Sequence, residues 1–372
     1  MLRSFRYVAL IATVAMVLCA CGSDSPSRQP TVPSAPSPAQ PIASASAGIP
    51  SPGPSASTEI AQRTARWTRL ELASDRPPAR EGHTWTVDPS GAVAYLFAGR
   101  GDDGFLGDLW TFDMTADAWA QLAPVGPSPA ARAGHVAAWV DGIGLVAFGG
   151  RTAAGMSSEL WAYDPEANGW RLLAPGDVGP LARADACGVI GIDGRLWVSH
   201  GEDGGGAYLD DVWIFDAADS TWSDVDPGMP EPAARAGSAC WWAGADGLMI
   251  YGGRSSTEAA HDDAWSLGSG SAVRWEAGPT FPVPGRSDVA VGVSSSAAYL
   301  FGGVGQGDAL LGDLLGHDLS DGTTERFAPA SEAPDPRAGA SLVDDPGGER
   351  MLLFGGRVAT GPVDDVWSVS PP

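Results

Sequence analysis

The sequence predicts an all-β fold made from one four-stranded unit repeated six times. Three observations predict it. An Arg-x-Gly/Asp motif begins at Arg80, Arg132, Arg183, Arg235, Arg286 and Arg337, at spacings of 52, 51, 52, 51 and 51 residues. About twenty residues after each Arg an apolar run ends in a small pair, and about ten residues further on an acid stands two places before a large apolar side chain. The chain of 372 residues also carries 50 Gly and 31 Pro, the punctuation of many short strands joined by turns.

Within a unit the first strand is expected just after the Arg. The second is the apolar run: Tyr95 to Gly99, Leu145 to Gly150, Leu196 to Gly201, Leu248 to Gly253, Tyr299 to Gly303 and Met351 to Gly356. These runs do not alternate, so both faces are covered, as when sheets stack face against face. The third strand holds the acid: Asp108/Trp110, Glu159/Trp161, Asp211/Trp213, Asp263/Trp265 and Asp365/Trp367, with Asp313/Leu315 in the fifth unit. The fourth carries a second aromatic, at Trp119, Trp170, Trp222, Trp275 and Phe327. A four-stranded sheet repeated in this way, with both faces needing cover, predicts a β-propeller. The sixth unit has no second Trp, whereas Trp67 stands 52 residues before Trp119 in the same phase. The strand near Trp67 is therefore expected to complete the last blade, closing a six-bladed ring and removing an open edge.

Gly pairs at 149–150, 252–253, 302–303 and 355–356, followed by the aromatic-Asp pairs Phe112-Asp113, Tyr163-Asp164 and Phe215-Asp216, resemble kelch repeats. The resemblance covers about residues 66 to 372 and departs locally, with Ala98 and His200 in the place of a first Gly. It implies a propeller whose loops form a binding face, and hence an interaction module for a protein or envelope component. Some exported bacterial kelch propellers are sugar epimerases or mutarotases, which gives a carbohydrate-active alternative. In that alternative the Arg ring and a loop acid such as Glu202 would be the acid/base candidates. No acid and base stand out from the repeat, so an enzyme is the lesser expectation.

The six repeat Arg residues admit two readings. They could form a ligand-binding collar for carboxylates near the central channel, or each could pair with the acid of its own blade. Six Arg against six acids favours the second. Trp241 and Trp242 are adjacent in a first strand, so one side chain faces each way. Core is expected for both, with stacking on a sugar or peptide as the functional alternative. Cys187 and Cys240 fall at odd and even offsets in neighbouring first strands and are expected to be two separate buried thiols. His83, His135, His200, His261 and His317 show no metal-ligand spacing, and no metal or cofactor is expected. The acidic loops at Gly101-Asp-Asp-Gly104 and around Glu202 are expected to be solvated turns.

The first 20 residues place Arg3 and Arg6 before an apolar run, Tyr7 to Leu18, too short for a ~30 Å bilayer core and so read as a secretory signal. Leu18-Cys19-Ala20-Cys21, followed by Gly22, resembles the lipobox of bacterial lipoproteins. That implies an acyl-modified Cys21 as the mature N-terminus, anchored in the membrane and facing the extracytoplasmic side. Residues 21–60 follow as a linker. From Gly22 to Ile60, Pro, Ser and Ala supply 25 of 39 residues, which predicts a disordered spacer. Residues 61–372 are left for the propeller, with no room for an oligomerisation module, so a monomer is expected. The formal net charge is −23, from 45 acids against 22 basic residues, all Arg. Such a surface repels phosphate backbones, and nucleic-acid binding is excluded.

Overall fold

A computed structural model describes residues 63–72, 75–256, 260–268, 273–347 and 349–371. The signal peptide, Cys21 and the linker to residue 60 lie outside the described residues. Within them the fold is all-β: the longer strands follow one antiparallel pattern of four in each repeat, the groups of the fifth and sixth repeats joining in one eight-stranded sheet, with short two-residue strands beside the second, third and sixth. The first group runs Thr84–Val87, Val93–Gly101, Gly104–Asp113 and Ala118–Leu122. The third runs Cys187–Ile190, Leu196–Asp203, Tyr208–Asp216 and Thr221–Val225. The sixth takes its outer strand from the other end of the sequence. Thr64–Arg69 pairs antiparallel with Val366–Ser370, with Trp67 opposite Val369 and Arg69 opposite Trp367. This is the pairing that the phase of Trp67 predicts. The start of the same strand also runs parallel to Ala328 and Pro329 of the fifth group, making those two groups one continuous sheet.

Apolar clusters fill the interfaces between successive groups. Trp197, Val212 and Ile214 of the third group pack on Leu248, Ile250 and Trp275 of the fourth. Trp85, Leu96 and Trp110 of the first pack on Leu352, Phe354 and Val366 of the sixth, so first and last groups are neighbours. Burying each such side chain stabilises by roughly 1.5–3 kcal/mol, which is why both faces of every second strand are apolar. The aromatic-Asp pairs shape the next turn: the Asp113 carboxylate accepts from the N–H groups of Thr115 and Ala116, and Asp164 does the same for Glu166 and Ala167.

The third residue of each Arg-x-Gly/Asp motif lies at the axis. Gly82, Gly134, Asp185, Gly237, Asp288 and Gly339 all have left-handed backbone, with φ between 53° and 67°. Each donates its N–H to the carbonyl of its counterpart in the preceding repeat, and Gly82 donates to Gly339, so the six bonds of 2.8–2.9 Å form a closed cycle. Gly and Asp are among the few residues that tolerate this conformation, which accounts for the motif. The same demand falls on the first residue of each small pair. Ala98 (φ 58°) and His200 (φ 60°) adopt the geometry that Gly149 and Gly252 (φ 70° and 71°) adopt in their repeats.

One expectation is overturned: Cys187 and Cys240 form a disulfide, with Cα atoms 5.9 Å apart. Odd and even offsets do put the two side chains on opposite faces, but they belong to different sheets. Where sheets stack, the right face of one meets the left face of the next, so opposite parity is what brings the sulfurs together.

Candidate functional site

The six repeat Arg residues are 0–1% exposed and clamp the acid of their own repeat. Arg80 meets Asp108 with two bonds of 2.7 Å, and Arg183 meets Asp211 at 2.6 and 2.7 Å. Each guanidinium also donates to the carbonyl of a residue in the small pair, as Arg80 does to Ala98 and Arg183 to His200. The Trp two places after the acid lies on the same face of the strand and donates its indole N–H to the carboxylate, as Trp110 does to Asp108 at 2.7 Å. Burial pushes the carboxyl groups of Asp108, Asp211, Asp263, Asp313 and Asp365 up, but the Arg contacts outweigh it and hold them below the ordinary range. In the fifth repeat Leu315 cannot donate, and Arg326 approaches Asp313 at 3.4 Å instead. Arg132 pairs with Glu159 at 3.3 Å. Each Arg thus pairs with the acid of its own repeat, as the matched count predicts, and a collar built from Arg80, Arg132, Arg183, Arg235, Arg286 and Arg337 would have no exposed guanidinium to offer a ligand.

Trp241 and Trp242 face opposite ways. Trp241 is 1% exposed and packs against Phe281 and His317 towards the fifth group, while Trp242 packs on Trp197 of the third. His83, His135 and His200 are buried in the interfaces against Phe354, Phe97 and Trp275. Burial, reinforced by nearby Arg, pushes all three down, His135 and His200 to about 3. Among the described residues no group of three His, Cys, Asp or Glu could hold a metal ion. Gly101 to Gly104 is a tight hairpin turn, and the Asp203 carboxylate organises the turn after Glu202 by accepting from Gly205 and Ala207.

A second set of Arg residues lines one mouth of the axis. The residue after the small pair is Arg100, Arg151, Arg254 and Arg357 in four repeats, with Glu202 and Val304 in the other two. Backbone bridges such as Glu81 with Arg100 and Ala338 with Arg357 hold this position beside the axial cycle. The charges are divided around the mouth. The sixth, first and second repeats contribute Arg357, Arg100, Arg151 and Glu81, and the third to fifth contribute Asp185, Glu202, Asp288 and Arg254. Arg254 bridges Asp185 at 2.6 Å and Asp288 at 2.9 Å and lies 3.8 Å from Glu202. Burial and the neighbouring Asp288 raise the Asp185 carboxyl, against the pull of Arg254. Between the halves is a recess of about 200 Å³ bordered by Arg100, Arg151, Arg357, Asp185, Asp288 and Phe105. Four of the exposed large apolar side chains, Val125, Val178, Leu181 and Met229, are 61–80% exposed on the loops that connect fourth strands to the next repeat. In an antiparallel meander those loops and the mouth residues share one end of the sheets.

A family model for the KLHDC2/KLHL20/DRC7 Kelch-repeats domain matches residues 56–253, more than half of the chain, and the chain belongs to this kelch-repeat family. It is 34% identical over 183 residues to Multiple epidermal growth factor-like domains protein 8 of Homo sapiens, covering 46% of this chain and 6% of that protein. It is 28% identical over 278 residues to Serine/threonine-protein phosphatase BSL2 of Arabidopsis thaliana, covering 67% of this chain and 27% of the relative. Acyl-CoA-binding domain-containing protein 6 of Oryza sativa subsp. japonica is 27% identical over 202 residues, or 51% of this chain and 30% of its own length. The chain thus spans less than a third of each of these relatives.

Proposed function

We propose that the chain is a six-bladed kelch propeller tethered through a lipid on Cys21 to the outer side of a membrane. It serves there as a binding module for a protein or envelope component, through the end of the ring that carries the Arg-lined recess. The observation that supports this reading is the inequality of the two ends. One end combines exposed Arg100, Arg151 and Arg357 with the apolar Val125, Val178, Leu181 and Met229 in a chain that is otherwise strongly acidic, whereas the other exposes Ile192 and Val293. An exposed apolar arc beside charges of both signs, segregated to opposite sides of one recess, gives a recognition surface both area and a pattern to match. The carbohydrate-active alternative has less support, because its Arg ring is buried in pairs and Glu202 lies between Arg151 and Arg254.

Photo-crosslinking groups placed in the full chain in cells test the reading. A discrete product from position 181 or 229, absent from position 192, supports it. Equal yields from both ends, or no product from 181 and 229, end it. Cys21→Ser is expected to release the chain from the membrane fraction; retention there would remove the tether from the proposal.

A further inference from the structure

The mouth Arg residues follow a rule with one exception. Each meets an acid of the following repeat: Arg151 lies 3.6 Å from Glu202, Arg254 2.9 Å from Asp288 and Arg357 3.0 Å from Glu81. The repeat after Arg100 offers Ala133, Gly134 and Arg151 at the places of Glu81, Asp288 and Glu202. Among the described residues Arg100 has no carboxylate partner; it is exposed, with its guanidinium 5.8 Å from the centre of the Phe105 ring.

The acidic half has its own exception. Asp288 gives both oxygens to Arg254 and also accepts from the Ser287 hydroxyl. Asp185 gives only Oδ2 to Arg254, at 2.6 Å. Its Oδ1 leans over Gly134, where any side chain would collide with it. An open guanidinium and an open carboxylate oxygen therefore border the same recess, and the Phe105 ring beside Arg100 also lines it.

We propose that this recess binds a small zwitterion, whose carboxylate pairs with Arg100, whose ammonium donates to Asp185 Oδ1, and whose carbon chain lies against Phe105. Both end contacts are charge-assisted hydrogen bonds, the strong kind. The divided mouth also discriminates. A lone anion entering the recess meets the Glu81, Asp185 and Asp288 carboxylates, and a lone cation meets Arg100, Arg151 and Arg357, so each carries unfavourable contacts that a zwitterion offsets at its other end. The inference shares its end of the ring with the proposed binding face but needs no macromolecular partner, so crosslinking and the titration below can fail separately.

Calorimetric titration of the full chain at neutral pH tests it, with glycine, 4-aminobutanoate and 6-aminohexanoate as zwitterions of increasing charge separation, and hexanoate and hexylamine as single-charge controls. The expected result is that at least one zwitterion binds about tenfold or more tighter than both controls. Arg100→Gln is expected to weaken that zwitterion about tenfold, the scale of one charge-assisted contact. Asp185→Gly restores the residue that most repeats carry at this left-handed position, so the axial cycle is kept. It is expected to weaken the zwitterion similarly and to abolish its advantage over hexanoate. Binding of either control as tight as the best zwitterion would overturn the proposal. So would no binding of any zwitterion by about 10 mM to a chain that still melts cooperatively.

Discussion

Two sets of arginines stand about twenty residues apart in the repeat and live in different worlds. Those of the Arg-x-Gly/Asp motif occur in all six repeats, are 0–1% exposed, and direct their donors at an acid and a carbonyl of their own repeat. Those after the small pair occur in four repeats, and Arg100, Arg151 and Arg357 are exposed, with a partner in the following repeat or none. The difference teaches how to read a repeat protein. A residue that every copy keeps answers a need that every copy has, which is the stability of its own sheet. A residue that some copies change marks where the ring stops being symmetric, and only a broken symmetry can distinguish one ligand from another.

The largest expected effect breaks the first set. Arg235→Ala removes the guanidinium that holds the Asp263 carboxylate through contacts of 2.6 and 3.0 Å, and leaves the Gly252 carbonyl with the Ser238 hydroxyl as its remaining side-chain donor. The Arg is buried but the carboxylate is 40% exposed and keeps the Trp265 indole N–H, so the loss, in which the emptied Arg site also counts, is expected to be about 2–4 kcal/mol, below that for a wholly buried pair. Chemical denaturation checks it, and a loss under about 1 kcal/mol would put this Arg in the class of surface ion pairs.

The disulfide belongs to the same structural interior. It joins residues 53 apart across one sheet interface, and replacing Cys187 and Cys240 together by Ala is expected to cost about 2–4 kcal/mol. A denaturation midpoint unchanged by the double replacement, and by reductant in the parent, would show that the interface holds without it.

Acid should expose the interior in a third way. His200 is held neutral by burial and by Arg235, with its pKa down at about 3 against 6.5 for the free side chain. The unfolded chain therefore takes up a proton that the folded chain refuses. The stability associated with this group is complete above pH 6.5 and is lost as the pH falls from there towards about 3. At pH 5 that loss is about 2 kcal/mol. His200→Asn retains a residue that tolerates φ near 60° and removes the titration. Its stability difference between pH 7 and pH 5 is expected to be smaller than the parent's by about that amount, whatever its absolute stability. Equal differences in the two proteins would mean that His200 titrates normally.

Much of this interior was legible from residue types and spacing. The strand phases, the use of Trp67 at the seam and the Arg–acid pairs all follow from asking what each repeated position must satisfy. The disulfide is hidden from face parity, which separates Cys187 from Cys240 only if they share one sheet, whereas stacking pairs opposite faces of neighbouring sheets. The mouth went unread although its signal was present: an Arg directly follows the small pair at Arg100, Arg151, Arg254 and Arg357. What spacing could not supply was the closed axial cycle that brings Asp185, Asp288 and Arg254 together, since that contact links three repeats at once.

The smallest expected effect tests the other side of the comparison. Arg357 is exposed and meets Glu81 at 3.0 Å, with side chains 44% and 29% exposed. Water solvates such a pair nearly as well apart as together, so its contribution to stability is roughly 0–1 kcal/mol. Arg357→Ala should therefore denature within about 1 kcal/mol of the parent, against several for Arg235→Ala, although both remove one guanidinium from an ion pair. If it destabilised as much as Arg235→Ala, the mouth set would be structural too, and the variation of this position among repeats would need another cause. If it leaves stability unchanged while altering what crosslinks at position 181 or 229, the two sets divide as their burial predicts, the inner holding the sheets and the outer meeting whatever binds.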